Sequence, residues 1–127
     1  MMSLRKPSQQ ELGAWGERAA VQYLMRQGWE ILAANWHCPR GELDIVACDH
    51  DRLVFVEVKT RTDAADALER IRESFTPRKR ERLLAAIHHY LSEHEREDQD
   101  WRLDLIAVFW RRNETHRLQH WEQILDW

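Results

Sequence analysis

Two stretches of this chain, Gly41 to Cys48 and Leu53 to Thr60, alternate in side-chain character and are separated by only four polar residues, Asp49 to Arg52. Segments of that length and period are strands, and so short a connector predicts an antiparallel hairpin. Side chains two apart share a face. Glu42, Asp44, Val46 and Cys48 are therefore expected on one face of the first strand, opposite Leu43, Ile45 and Ala47. On the second, Leu53 and Phe55 begin a face that Glu57 and Lys59 continue. Ionised groups that follow buried ones on one face must be paired, hydrated or bound to a metal.

The rest of the chain frames this hairpin. Ser8-Gln9-Gln10-Glu11 fits a capping box, so a helix begins near Gln9 and stops at Gly28. Trp29 to Asn35 reads as a further strand. Thr62 to Ser74 reads as a loop with a short helix, and Thr76-Pro77 opens a longer one in which Lys79, Leu83, Ala86 and Tyr90 share a face. Trp101 to Trp110 is a strand, Arg111 to Glu114 a turn, and His116 to Gln123 a weaker strand. The expected fold is α/β: a mixed central sheet flanked by helices, in the order α-β-β-β-α-β-(β). At 127 residues the chain is expected to be one domain, with its core over about 9–110 and a peripheral strand or tail over 111–127.

Composition sets outer bounds. No apolar run approaches the ~20 residues that span a bilayer, and Met1 to Gln10 holds no hydrophobic signal segment. Two cysteines, Cys38 and Cys48, suit a reducing compartment, so a cytoplasmic protein without membrane partners is expected. The net charge of -3 is uneven: Ser92 to Asp100 carries five acids and one base, leaving +1 for the remainder. Arg78, Lys79, Arg80 and Arg82 cluster, which fits a basic surface or a solvated helix start equally well.

Asp44 and Glu57 on neighbouring strands can reach one hard cation. Mg²⁺ takes oxygen ligands and keeps several waters, so two carboxylates and a backbone carbonyl suffice, and Val58 offers that carbonyl. Such an ion acidifies a bound water and neutralises phosphate charge, while Lys59 would orient the water or stabilise developing charge. The competing reading is a structural ion pair between Glu57 and Lys59. On the first helix Gly13, Glu17, Ala20 and Leu24 form one stripe. Gly13 and Gly16 each cost about 1 kcal/mol relative to Ala, which makes sense if the helix backbone packs close to the sheet and carries Glu17 toward the other acids.

These residues resemble a known family. Gly13-x-x-Gly16-Glu17-x-x-Ala20, Gly28, Asn35, Gly41-Glu42-Leu43-Asp44-Ile45-Val46-Ala47 and Val54-Phe55-Val56-Glu57-Val58-Lys59-Thr60-Arg61 are similar to the YraN-type family of small bacterial proteins. The likeness continues through Thr76-Pro77-Arg78-Lys79 to Arg102-Leu103-Asp104, about residues 9 to 108. That family falls in the restriction-endonuclease-like superfamily, with its P-D-(D/E)-x-K motif, alongside Holliday-junction resolvases. The resemblance implies that fold and a nuclease acting on DNA, branched or single-stranded, with Mg²⁺ or Mn²⁺ as cofactor. It makes Asp44 and Glu57 the metal-binding acids, Lys59 the catalytic lysine and Glu17 the acid of the first helix. Glu42, Arg61 and Lys79 are implied as substrate contacts. The alternative is a non-catalytic nucleic-acid-binding or repair-complex accessory domain on the same fold.

Other clusters invite blander readings. Cys38, Cys48, His37 and His50 match no standard zinc spacing. His88 and His89 are adjacent on a helix and cannot face one site. Asp104 two residues after Arg102 suggests a structural salt bridge. Seven tryptophans are many for one small core, and Trp110, Trp121 and Trp127 suggest a self-association surface and a homodimer.

Overall fold

The computed structural model describes residues 7–62, 66–111 and 116–127. Helix α1 (Gln9–Arg26) starts at the expected capping box: Ser8 Oγ accepts from the Glu11 N–H at 3.1 Å, and Glu11 Oε1 accepts from the Ser8 N–H at 3.0 Å. It ends just before Gly28, whose φ of +87° is the left-handed turn that lets the chain reverse into the sheet. Strands β1 (Glu30–Cys38), β2 (Gly41–Asp49) and β3 (Arg52–Thr62) follow as an antiparallel meander. Helices α2 (Ala67–Ser74) and α3 (Pro77–Glu93) then cross over to β4 (Trp101–Trp110), which lies parallel to β3. Strand β5 (Arg117–Trp121) closes the sheet antiparallel to β4, giving the order β1-β2-β3-β4-β5. A parallel neighbour needs such a helical crossover, because a tight turn can only reverse the chain.

Alternation along β3 sorts the core into two layers. Val54 and Val56 join Ile45, Ile106 and Val108 beneath Ala20 and Leu24 of α1. Leu53 and Phe55 join Val46, Leu103 and Leu105 beneath Leu83, Ile87 and Tyr90 of α3. With helices on both faces, every residue of β4 from Arg102 to Phe109 is buried, the pattern expected of a central strand in a two-sided sheet.

Several expectations shift at the edges. Strand β1 runs three residues past Asn35, through an irregularity between Ile31 and Ala33 and a left-handed Asn35 with φ of 52°. The stretch after β3 holds a two-turn helix, α2, because Ala67 and Ile71 have a core to enter. Strand β5 is shorter than expected, and residues 112–114 of the expected turn lie outside the described residues.

Asp104 is structural, as its spacing from Arg102 suggests. Fully buried, it receives Arg102 Nε and Nη2 at 2.9 and 3.1 Å, the Gln123 N–H at 3.0 Å and a 2.8 Å contact with His120 Nε2. Burial alone would raise its carboxyl; the bonds from His120, Arg102 and Gln123 and the charge of Arg102 outweigh that and bring it below the usual range. Ile124 N–H donates to Leu103 O at 2.7 Å, so the segment after β5 folds back over β4. Trp121 and Trp127 pack edge-on with ring centroids 6.0 Å apart, and Arg72 lies over Trp127. The rings that the sequence offers for self-association at 121 and 127 are thus engaged within the chain. Among the described residues, Met25 and Leu68 are the large apolar side chains left exposed, and no helix is long and apolar enough to cross a membrane.

Candidate acidic site where two strands part

Strands β2 and β3 pair from Asp49↔Arg52 to Ile45↔Val56 and no further. Beyond that point β2 follows β1 alone, through Leu43↔Trp36, Glu42↔His37 and Gly41↔Cys38. Asp44 is the first residue past the last pair. Its Oδ2 accepts from the Val58 N–H at 2.8 Å, replacing the backbone partner that β3 has just lost. In an extended strand a residue's N–H and C=O point to the same edge, so the Val58 carbonyl also lies on the edge facing Asp44.

The parting corrects the face assignment. Leu43 packs into the layer beneath α3, whereas Ile45 and Ala47 pack beneath α1. Simple alternation would put all three together. It breaks at Asp44 because β2 no longer shares the hydrogen-bonding frame of β3 there and twists with β1 alone.

Glu57 keeps part of its surface exposed, but its carboxyl is enclosed and hydrogen-bonded to that of Asp44. Burial, then the bond to Asp44 and the Asp44 charge, hold Glu57 well above the usual carboxylate range; Glu42 adds to this and Lys59 opposes it. Two carboxyls in contact must share a proton or a cation. Glu57 is thus engaged with the Asp44 carboxyl as well as with the charge of Lys59. Among the described residues no three Asp, Glu, His or Cys side chains form a ready-made metal cage. The donors on offer are two carboxylates and the Val58 backbone edge, a set that fits a hydrated hard cation.

Helix α1 brings Glu17 to this site through Gly16. A methyl group added at Gly16 would lie 1.8 Å from Thr60 Oγ1 and 2.9 Å from Thr60 Cβ, so the helix backbone rests directly on β3. Gly13 has nothing within 4 Å of the same position, so close packing explains one of the two helical glycines and not the other. Glu17 bonds to the Asn35 side chain and lies within electrostatic reach of Asp44 and Glu42. Burial raises its carboxyl, the Asn35 bond opposes this, and the two neighbouring acids add to the rise. Glu17 opens onto its own groove of about 310 Å³, shared with Arg18, Gln22 and Asn35. It is an outlying acid beside the pair.

On the α3 side, Glu57 and Lys59 open into a cleft of about 270 Å³ whose walls include Glu42, Lys79 and Arg82. Lys79 thus lines the same cleft as the strand residues Glu57 and Lys59. Arg61 does not: it lines a separate pocket with Pro7, Gln9 and Leu12, and its Nη1 donates to Thr60 O at 2.9 Å. Glu42 faces His37 across the strands, with Nδ1 and Oε2 3.2 Å apart at an exposed position. The Cys–His set does not assemble, because Cys38 pairs opposite Gly41 at one end of β2 and Cys48 opposite Glu30 at the other.

Two residues joined the site without being singled out for it. Asn35 holds Glu17 from a left-handed backbone position, and Asn is one of the few residues that adopts that conformation readily. Arg82 belonged to the basic run, three residues after Lys79 and therefore on the same helix face.

The sequence model of Uncharacterised protein family UPF0102 matches residues 16–108, which include Glu17, Glu42, Asp44, Glu57, Lys59 and Lys79. A UPF0102 protein of Chloroflexus aurantiacus is 46% identical over 98 residues, covering 76% of this chain and 78% of the relative. One from Beutenbergia cavernae is 41% identical over 109 residues, 86% of this chain and 91% of its own. One from Pelotomaculum thermopropionicum is 45% identical over 112 residues, 87% and 92% of the two chains. The chain belongs to the UPF0102 family.

Proposed function

We propose that this UPF0102 protein is a divalent-metal-dependent nuclease that hydrolyses phosphodiester bonds in DNA, with branched or single-stranded DNA as its substrate. The observation that carries the reading is the contact between the Asp44 and Glu57 carboxyls at the parting of β2 and β3, with Lys59 beside them in an open cleft. Similarity of the motif to the restriction-endonuclease-like superfamily supports the same assignment.

Asp44, Glu57 and the Val58 carbonyl would hold Mg²⁺ or Mn²⁺, with Glu17 completing the negative surround. When bound, such an ion acidifies a water and neutralises charge on a phosphate. The Val58 N–H bond fixes the Asp44 carboxylate against the strand edge, leaving its second oxygen for a ligand. Glu57 must release its proton before it can ligate, and the adjacent Lys59 ammonium favours that release. Lys59 then presents its positive charge to the cleft, where it stabilises negative charge developing on a phosphoryl group. Asn35 holds the Glu17 carboxyl by a hydrogen bond and favours its ionised form.

Calorimetric titration with Mn²⁺, followed by cleavage assays on branched, single-stranded and duplex DNA, tests the reading. Both binding and cleavage are expected to be lost in Asp44→Ala and in Glu57→Ala. Cleavage that persists in the double variant would remove the carboxyl pair from the mechanism. Nucleic-acid binding with no divalent affinity would favour the non-catalytic accessory role.

A further inference from the structure

The cleft that holds Glu57 and Lys59 does not end at α3. A second depression of about 350 Å³ borders it, and the two share Gly41, Glu42 and Arg82 as common walls. The second is lined further by His37 and Arg40 at the β1–β2 turn. Together they make one trough leading away from the acidic pair, over the end of the hairpin. Its floor at Gly41 carries no side chain. The φ of +153° there suits glycine, and a methyl group would lie 3.8 Å from the Arg82 carbonyl and 3.9 Å from Ala86 Cβ.

Cations line this trough in sequence: Lys59 at the acidic end, Lys79 and Arg82 on the first turns of α3, and Arg40 at the far end. Arg40, Lys79 and Arg82 make no ion pair among the described residues. The first turn of α3 holds no acid to offset them, so the positive end of its dipole adds to their field. Glu42, the acid common to both depressions, faces His37 across the strands. A row of cations in an open groove matches a row of phosphates; by contrast, Glu17's groove has Arg18 alone, the pocket at Pro7 has Arg61 alone, and the groove along α2 sets Arg72 against Asp66 and Glu69.

We infer that this trough is a binding track for the phosphodiester backbone of a nucleic-acid strand, in which Arg82 and Arg40 hold phosphates beyond the one presented to Asp44 and Glu57. The inference rests on the nuclease reading for its direction but not for its binding. It makes the substrate a strand that continues past the scissile position, not an isolated phosphodiester.

The probe is a fluorescently labelled single-stranded DNA oligonucleotide, with anisotropy measured across a salt series in EDTA so that no cleavage intervenes. Each phosphate contact contributes a slope of about 0.7 in log K against log salt for single strands. Arg40→Gln combined with Arg82→Gln is therefore expected to lower the slope by about 1.4. Arg26→Gln combined with Arg52→Gln removes the same charge from exposed positions outside the trough and is expected to leave the slope unchanged. Matching thermal melts establish that both variants fold. Equal losses in the two double variants, no loss in either, or no binding by the unaltered protein would overturn the track. Cleavage without a slope change would sink the track and leave the acidic centre standing; a slope change without cleavage would do the reverse.

Discussion

Gly13 and Gly16 lie three residues apart on one helix, and the structure predicts opposite outcomes when each is replaced by alanine. At Gly13 the new methyl meets nothing within 4 Å, so only the helix propensity changes. That gain is about 1 kcal/mol of stability. At Gly16 the same gain is opposed by collision with Thr60: 1.8 Å to Oγ1, 2.9 Å to Cβ and 3.0 Å to Cγ2. Thr60 is β-branched and sits within β3, so rotation relieves Oγ1 but not Cβ. Overpacking of this kind costs about 1–3 kcal/mol, which leaves Gly16→Ala about 0–2 kcal/mol less stable than the unaltered chain. The two variants should therefore differ by about 1–3 kcal/mol, or several degrees in melting temperature. Urea denaturation of both, with Thr60→Ala added to each, measures this. Truncating Thr60 removes Oγ1 and Cγ2, so it should recover about 1 kcal/mol in the Gly16 background and nothing in the Gly13 background. If Gly16→Ala proves as stable as Gly13→Ala, the helix does not rest on β3 as described, and the route by which Glu17 reaches the acidic pair fails with it.

The other predictions concern charge. Protonated Glu57 is favoured in the folded state, so its stabilising contribution is full below the ordinary value near 4.5 and is lost as pH rises through its higher folded value. Denaturation across that window should show the unaltered protein weakening with pH and Glu57→Gln not doing so; parallel curves would refute the shared proton. Asn35→Gly keeps the left-handed backbone but removes the bond to Glu17, so stability should move by less than about 1 kcal/mol while Mn²⁺ affinity by calorimetry falls. Asp104→Ala strips a buried partner from Arg102 and should cost about 3 kcal/mol in urea denaturation. Its Mn²⁺ affinity should be unchanged, since Asp104 lies on β4 in a network of its own.

How much of this was legible beforehand follows from how local each cause is. The capping box at Ser8, the Gly28 stop and the Thr76-Pro77 start depend on a few adjacent residues, and each stands where its signal lies. Alternation along β3 is equally local and holds from Leu53 to Lys59. It fails in β2 because the face of Leu43 depends on which neighbouring strands that residue follows, and β2, paired with β1 throughout, loses β3 beyond Ile45. The Asn35 contact is harder still to read, since it needs a helix, a strand and a left-handed residue to meet. The acid pair itself was approached through spacing, but spacing alone could not show that the carboxyls touch.

The break in alternation and the chemistry have one cause. Had β2 stayed paired with β3 past Ile45, the Val58 N–H would have been satisfied by backbone and Asp44 would have stood out from a regular sheet surface. Because the strands part there, a half-buried N–H is left open, and a carboxylate is the group that closes it. Closing it turns the Asp44 carboxyl inward against Glu57, on the strand edge where the Val58 carbonyl also lies. The bond that repairs the sheet is therefore the one that assembles the donor set. Removing the Asp44 carboxylate should expose both roles together, through an unsatisfied Val58 N–H costing about 1–3 kcal/mol and through the loss of divalent affinity. Asp44→Asn separates them: its side-chain carbonyl can still accept from Val58 and hold the strand, while the lost charge should abolish Mn²⁺ binding. An Asp44→Asn variant that binds Mn²⁺ as tightly as the unaltered protein would show that the repair of the sheet is the residue's whole purpose.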